Sequence, residues 1–124
     1  MKRNYTWLII CIAAILSFRA GAQSNAQVAA FAKSIEKEKV LDYAGAIKAI
    51  TDLKDSTTYE VMLRLGWLNF KAGAKKHALV YYKKAIDIMP QAIEPRLGFG
   101  FPAYQLEDFD DLEKQDKKIL EIDP

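Results

Sequence analysis

Two landmarks recur in this 124-residue chain at one interval. Gly66 returns as Gly100 and Pro90 returns as Pro124, each 34 residues on, and AIDIMP (Ala85 to Pro90) returns in type as ILEIDP (Ile119 to Pro124). A fixed period of this length restricts the fold more than any composition does. Each period must be one supersecondary unit that cannot bury its apolar face alone and gains a core by stacking on its neighbours. Apolar residues inside the period fall three and four apart, so the unit is helical.

The clearest copy contains LGWLNFKAGAKKHALVYYKKAIDIMP, Leu65 to Pro90. This resembles a tetratricopeptide (TPR) repeat, whose pattern is W-x2-L-G-x2-Y…A-x3-F…P. Leu65-Gly66, Ala78-x3-Tyr82 and Pro90 match; Met62 stands where the family has Trp, and Asn69, with Phe70 beside it, stands at the usual Tyr. The pattern makes physical sense. Small Gly66 and Ala78 let two antiparallel helices approach closely, and Tyr82 and Ala85 alternate bulk and space against the next helix. Pro90 lacks an N–H and disfavours helix in Met89 before it, so it ends the second helix. Any amphipathic hairpin would share the three-and-four spacing, but the second copy decides for a repeat. The resemblance covers about Phe31 to Pro124 and implies an all-α fold: antiparallel helix-turn-helix repeats in a short right-handed TPR solenoid.

Three units of the domain 28–124 follow. A degenerate one occupies about 28–58: Val28, Phe31, Ala32 and Ile35 are helically spaced, Leu41-Asp42-Tyr43 reads as a turn, and Ala46-x3-Ile50 matches the second-helix element. Its Leu-Gly pair and its proline are missing, as terminal repeats allow. The best-formed repeat is 59–92 and the third is 93–124. In the third, Leu112 replaces the small Ala and Asp116 the aromatic, while Gly98, Gly100 and Pro102 interrupt the first helix. Proline in a helix interior costs about 3 kcal/mol. Either a kink near Gly98–Pro102 or an early helix end is expected.

The start of the chain reads differently. Lys2 and Arg3 precede an apolar run, Trp7 to Phe18, and Ala20-Gly21-Ala22 makes a small-residue cleavage site before Gln23. That order marks residues 1–22 as a secretory signal peptide, with 23–27 as a flexible lead, and predicts export to the periplasm or cell envelope. The run is shorter than the roughly 20 residues a membrane span needs. Retention as an anchor is the alternative, and membrane contact is expected only then. Cleavage removes Lys2, Arg3 and Arg19 from the 18 basic residues, leaving 15 against 16 acids, or about −1. The basic pI of 8.6 therefore belongs to the leader and gives no warrant for nucleic-acid binding. Cys11, the single cysteine, leaves with it, so the mature chain must be stable by packing alone.

Catalytic patterns are missing. His77 is the single histidine, and the acids Glu107, Asp108, Asp110, Asp111 and Glu113 lack the spacing of a calcium loop and read instead as a helix N-terminus. No nucleophile elbow, phosphate loop or dinucleotide fingerprint is present, so no cofactor, metal or small-molecule substrate is expected, and the chain reads as no enzyme.

In the TPR family the first helices line a concave groove that holds a partner segment. The resemblance carries the groove offsets to Phe31, Ile35, Leu63, Trp67, Phe70, Leu97, Phe101 and Tyr104. Leu63 and Leu97 read better as core, and Trp67 and Phe70 as partly exposed. The carboxylate-clamp form has Lys and Asn at the offsets of Leu63 and Trp67, which this chain lacks. An apolar or amphipathic protein segment is the implied partner, and a scaffold or adaptor the implied role. One rival is a self-assembling subunit. With no polar capping helix after Pro124, the last apolar face is expected to be covered by a partner or by self-association, unless the chain is a shortened form of a longer array. Residues 59–92 carry six basic and two acidic side chains while 93–124 carry four and nine. The other rival is a membrane-anchored accessory.

Overall fold

The computed structural model describes residues 25–54 and 57–124, which form six helices and, among the described residues, no strand. Helix α1 covers 25–39. It is followed by α2 (Tyr43–Thr51), α3 (Tyr59–Lys71), α4 (Lys75–Ile88), α5 (Glu94–Gln105) and α6 (Phe109–Ile122). The expected signal peptide, residues 1–22, lies outside the described residues. Of the expected flexible lead 23–27, residues 25–27 are instead helical. Ala26 and Gln27 are good helix formers, and the first turn extends the helix that Phe31 docks.

Three of the turns are one structure repeated. Leu41, Gly73 and Glu107 all take left-handed φ, at 61°, 82° and 58°. Behind each, the next amide reaches back five residues: Asp42 N to Lys37 O, Ala74 N to Asn69 O and Asp108 N to Ala103 O, at 2.9, 2.9 and 3.0 Å. This is the Schellman ending, which satisfies carbonyls orphaned at a helix C-terminus. Only the middle turn places glycine at the left-handed position.

The caps that start the second helices also share a conformation, with φ between −82° and −84° at Asp42, Ala74 and Asp108. Asp42 Oδ1 accepts from Gly45 N at 2.9 Å. Ala74 has no side chain to do this, and the first turn of α4 carries no acid. Ala74→Asp is therefore expected to stabilise the fold, by about 1 kcal/mol where its carboxylate takes the Asp42 geometry and by less where, like Asp108, it makes no cap bond and acts through the helix dipole alone. Urea unfolding checks this, and an unchanged midpoint would show that the Asp42 geometry does not transfer.

Each helix from α2 onward packs on the next, and α3 also reaches α5. Helix α1 joins α3 through side-chain hydrogen bonds. The odd-numbered helices α1, α3 and α5 thus adjoin in a row. One buried cluster draws Ala46 and Ile50 from α2, Val61, Met62, Leu65 and Leu68 from α3, and Ala85 from α4. A second joins Ala78 and Tyr82 of α4 to Phe99 and Ala103 of α5. Tyr82 is the hinge of this packing. Its ring is wedged between α3 and α5 at two glycines: a Cβ on Gly66 would meet it at 2.8 Å, and one on Gly98 at 2.4 Å.

The third unit compensates for its departures. Asp116 is exposed and fills no such slot. Leu112, half-buried against the second cluster, faces Gly100 instead, 3.3 Å from where a Cβ would stand. The larger residue at the small-residue position supplies the volume that the missing aromatic does not. Pro102 does not end α5, which runs on to Gln105. The carbonyl left without a donor by Pro102 belongs to Gly98, where the backbone yields most easily.

Candidate docking face

A polar latch aligns α1 with α3. Ser34 is fully buried, and its Oγ accepts from Nε and Nη2 of Arg64 at 3.2 and 3.1 Å. Arg64 Nη1 lies 2.7 Å from Glu38 Oε2, and Trp67 Nε1 donates to Glu38 Oε1 at 2.7 Å. Lys71 stands 5.4 Å over the Trp67 ring. The indole is thus held in place while 38% of the residue stays exposed. Partial burial works to raise the Glu38 carboxyl, but hydrogen bonds from Trp67 and Arg64 and the charges of Arg64 and Lys71 bring it below its ordinary value.

That depression has a pH consequence. The unfolded chain binds the proton more readily than the folded one, so the stabilisation is complete above the unfolded carboxylate range and is lost as pH falls through the lowered value. Thermal melts between pH 7 and 3, at roughly half-unit steps around the carboxylate range, are expected to fall less steeply for Glu38→Gln than for the parent chain. Equal slopes would mean the latch adds nothing in acid.

From Trp67 an aromatic row crosses to the next helix. The Trp67 and Phe70 rings are tilted with centroids 6.3 Å apart, and Phe70 stacks on Phe101 of α5 at 5.9 Å. Leu97, Phe101 and Tyr104, at helical spacing on α5, are 56%, 58% and 67% exposed. Tyr104 meets Phe109 edge-on at 6.1 Å. At the other end of α3 a cavity of about 350 Å³ opens between Phe31, Tyr59, Glu60, Leu63, Arg64, Trp67 and Glu94. Tyr59 donates its hydroxyl to Glu94 at 3.1 Å, and burial together with that carboxylate pushes the phenol up.

No protein-family model and no curated protein matches the chain.

The eight residues expected along the groove divide as follows, with Tyr104 exposed at the far end of α5 against Phe109. Trp67, Phe70 and Phe101 form one row, and Phe31, Leu63 and Trp67 line one cavity. Ile35 is exposed, one turn beyond Phe31 on α1. Leu97, read from sequence as better suited to the core, is instead exposed. The buried neighbours on α5 are Pro95, Arg96, Phe99, Pro102 and Ala103, and Leu97 stands on the opposite side of the helix. Leu63 and Phe70 are half-buried against the second cluster, so they serve core and surface together. Sequence reasoning missed Glu38, Arg64, Tyr59, Glu60 and Glu94. Arg64 and Glu60 do lie three and seven residues before Trp67 on α3, a spacing that could have flagged them.

The far side of α6 has another character. Asp110, Glu113, Lys114, Lys117, Lys118 and Glu121 surround an open cleft beside Arg96, and Lys117 pairs with Glu113 at 2.6 Å. Glu113 stands 34 residues after Leu79, which packs against the second cluster. At this offset, where α4 turns an apolar side chain to the second cluster, α6 therefore carries a charged one. Elsewhere Asp111 takes Lys83 at 2.7 Å. Among the described residues, no three His, Cys, Asp or Glu side chains converge to hold a metal, and no helix is long and apolar enough to cross a membrane.

Proposed function

We propose that this chain is a TPR-like, non-catalytic interaction module, exported to the cell envelope, that docks an apolar or amphipathic segment of a partner protein on the face formed by α1, α3 and α5. The observation that carries the reading is the exposed aromatic row from Trp67 through Phe70 to Phe101, continued by Leu97 and Tyr104. Isolated exposed apolar residues are ordinary, but a contiguous set on adjoining helices marks an interaction surface. Aromatic side chains held rigidly are typical anchors of binding energy. The TPR-like assignment draws support from the thrice-repeated turn, the contacts between successive helices and the 34-residue sequence interval. The export assignment rests on the sequence of residues 1–22.

A photo-crosslinking side chain at position 104 in producing cells tests the reading. One foreign protein is expected, lost when Phe101 is changed to alanine. With that partner purified, Phe101→Ala should weaken binding by about 30-fold, the worth of a 2 kcal/mol anchor, at unchanged helicity. Recovery of the chain alone would replace the adaptor by the self-assembling subunit. The charged cleft beside α6 offers that rival no apolar seam, so its interface would be this same aromatic face.

A further inference from the structure

We infer that the partner segment is basic as well as apolar, and that one of its lysine or arginine side chains enters the cavity between Phe31, Leu63 and Trp67 with its charge at Glu60 and Glu94. This rests on the docking reading above and names the partner's chemistry.

Three observations carry it. The first is the shape and lining of the cavity. Its volume of about 350 Å³ is at the lower end of ligand sites, which begin at roughly 300 Å³. It is an open hollow rather than an enclosed hole, with room for a single long side chain laid against its wall. Phe31, Leu63 and Trp67 are walls for an aliphatic stem, and Tyr59 adds an aromatic ring that attracts a cation, since the Trp67 ring already has Lys71 over it.

The second observation is the charge that remains after internal pairing. The one cation in the lining, Arg64, is already committed to Glu38 and Ser34 through Nη1, Nε and Nη2. Among the described residues, Glu60 and Glu94 find no cation to pair with. The rim therefore keeps two uncompensated negative charges beside an apolar floor. A carboxylate from a partner would be repelled there, whereas a cation would be paired.

The third is preorganisation. The Tyr59 hydroxyl holds the Glu94 carboxylate at 3.1 Å, and the Glu38 bond holds the Trp67 ring. Both sides of the entry are in place before a ligand arrives, so little side-chain entropy remains to be lost. The aromatic row leads directly from this cavity, through the shared Trp67, to Phe70 and Phe101. An amphipathic segment lying along the row would bring its basic residue to the cavity at the Trp67 end.

Selection of displayed random 12-residue peptides on the immobilised full chain tests the inference. The recovered peptides should combine aromatic or aliphatic residues with lysine or arginine. Against Glu60→Gln/Glu94→Gln, selection should keep the apolar residues and lose the basic enrichment. The best basic peptide should bind the double variant about tenfold more weakly than the parent chain, and changing its basic residue to glutamate should weaken binding at least as much. Glu113→Gln, on the far side of α6, should change nothing. Both glutamates are exposed, and unchanged circular dichroism will separate lost binding from lost folding. Phe101-dependent peptides without basic enrichment, or with equal affinity for parent and double variant, would overturn the inference and leave the docking face standing. Absence of any Phe101-dependent peptide would remove both.

Discussion

Tyr82→Ala is expected to be the most destabilising single change, at about 3–5 kcal/mol, the range for deleting a large buried side chain. The ring is 2% exposed and spans the space between α3 and α5, so its removal leaves a cavity at the junction of three helices. Burial also pushes its hydroxyl up to about 12, so it stays neutral through the physiological range. At roughly 4 °C or more per kcal/mol for a domain of this size, the melting temperature should fall by more than about 12 °C. The two glycines supply a sharper test. A Cβ at Gly98 would stand 2.4 Å from the Tyr82 ring, and helices on both sides prevent the ring from retreating. Gly98→Ala should therefore cost about 1–3 kcal/mol by overpacking. In a Tyr82→Ala background the same change should cost nearly nothing and could recover stability, because alanine is the better helix former and the clash is gone. Additive costs in that double-mutant cycle would show that Tyr82 does not set the spacing of α3 and α5.

The second large effect is expected at Arg96. This residue is 7% exposed in the first turn of α5, and among the described residues no carboxylate pairs with it. Nη2 donates to Pro90 O at 2.8 Å, Nη1 donates to Gln115 Oε1, and Nε is buried without a partner. The same two positions one period earlier hold Met62 and Tyr81, which share the first apolar cluster. A polar pair thus stands where the preceding period has an apolar one. Arg96→Met should cost about 1–3 kcal/mol, because it strands the buried Gln115 amide. Adding Gln115→Leu should recover most of that loss or exceed it, since an apolar pair of similar shape needs no partners. Chemical unfolding of the two single variants and the double variant measures this coupling. If Arg96→Met alone is neutral, the guanidinium is an idle passenger. If the double variant is no better than the single, the cost of losing Arg96 does not run through Gln115.

These two sites show different degrees of legibility. The Tyr82 slot could be read in part from sequence, because a small residue and an aromatic at fixed offsets are what close helix packing needs. Gly66 was expected to receive a neighbour for that reason, but Gly98 was expected only as a weak point near Pro102. Its use as the second wall of the slot depends on how α4 lies across α5, which no spacing within either helix specifies. Arg96 was invisible. A charged residue at a helix start suggests solvent, and its burial follows only from the approach of α6 and the chain leaving Pro90.

The docking face divides in the same way. Leu97, Phe101 and Tyr104 share one side of a helix, and their offsets alone place them together. That this side stays exposed is a tertiary fact, since one helix has several faces and its neighbours choose among them. The Glu38–Trp67–Arg64 latch and the Glu94–Tyr59 contact join residues 26 to 35 positions apart on adjoining helices. Such pairs have no local signature.

What the sequence determined by itself was local and periodic: helices rather than strands, their number and approximate ends, the 34-residue interval, and the aromatic content of one face. These follow from side-chain spacing and backbone preference, which act over a few residues. The tertiary structure decided which face is covered, that Leu41 and Glu107 take left-handed turns that their side chains disfavour, and which charges are paired. Those outcomes depend on distances between helices, where burial and ion pairing outweigh the roughly 1 kcal/mol preferences of single residues.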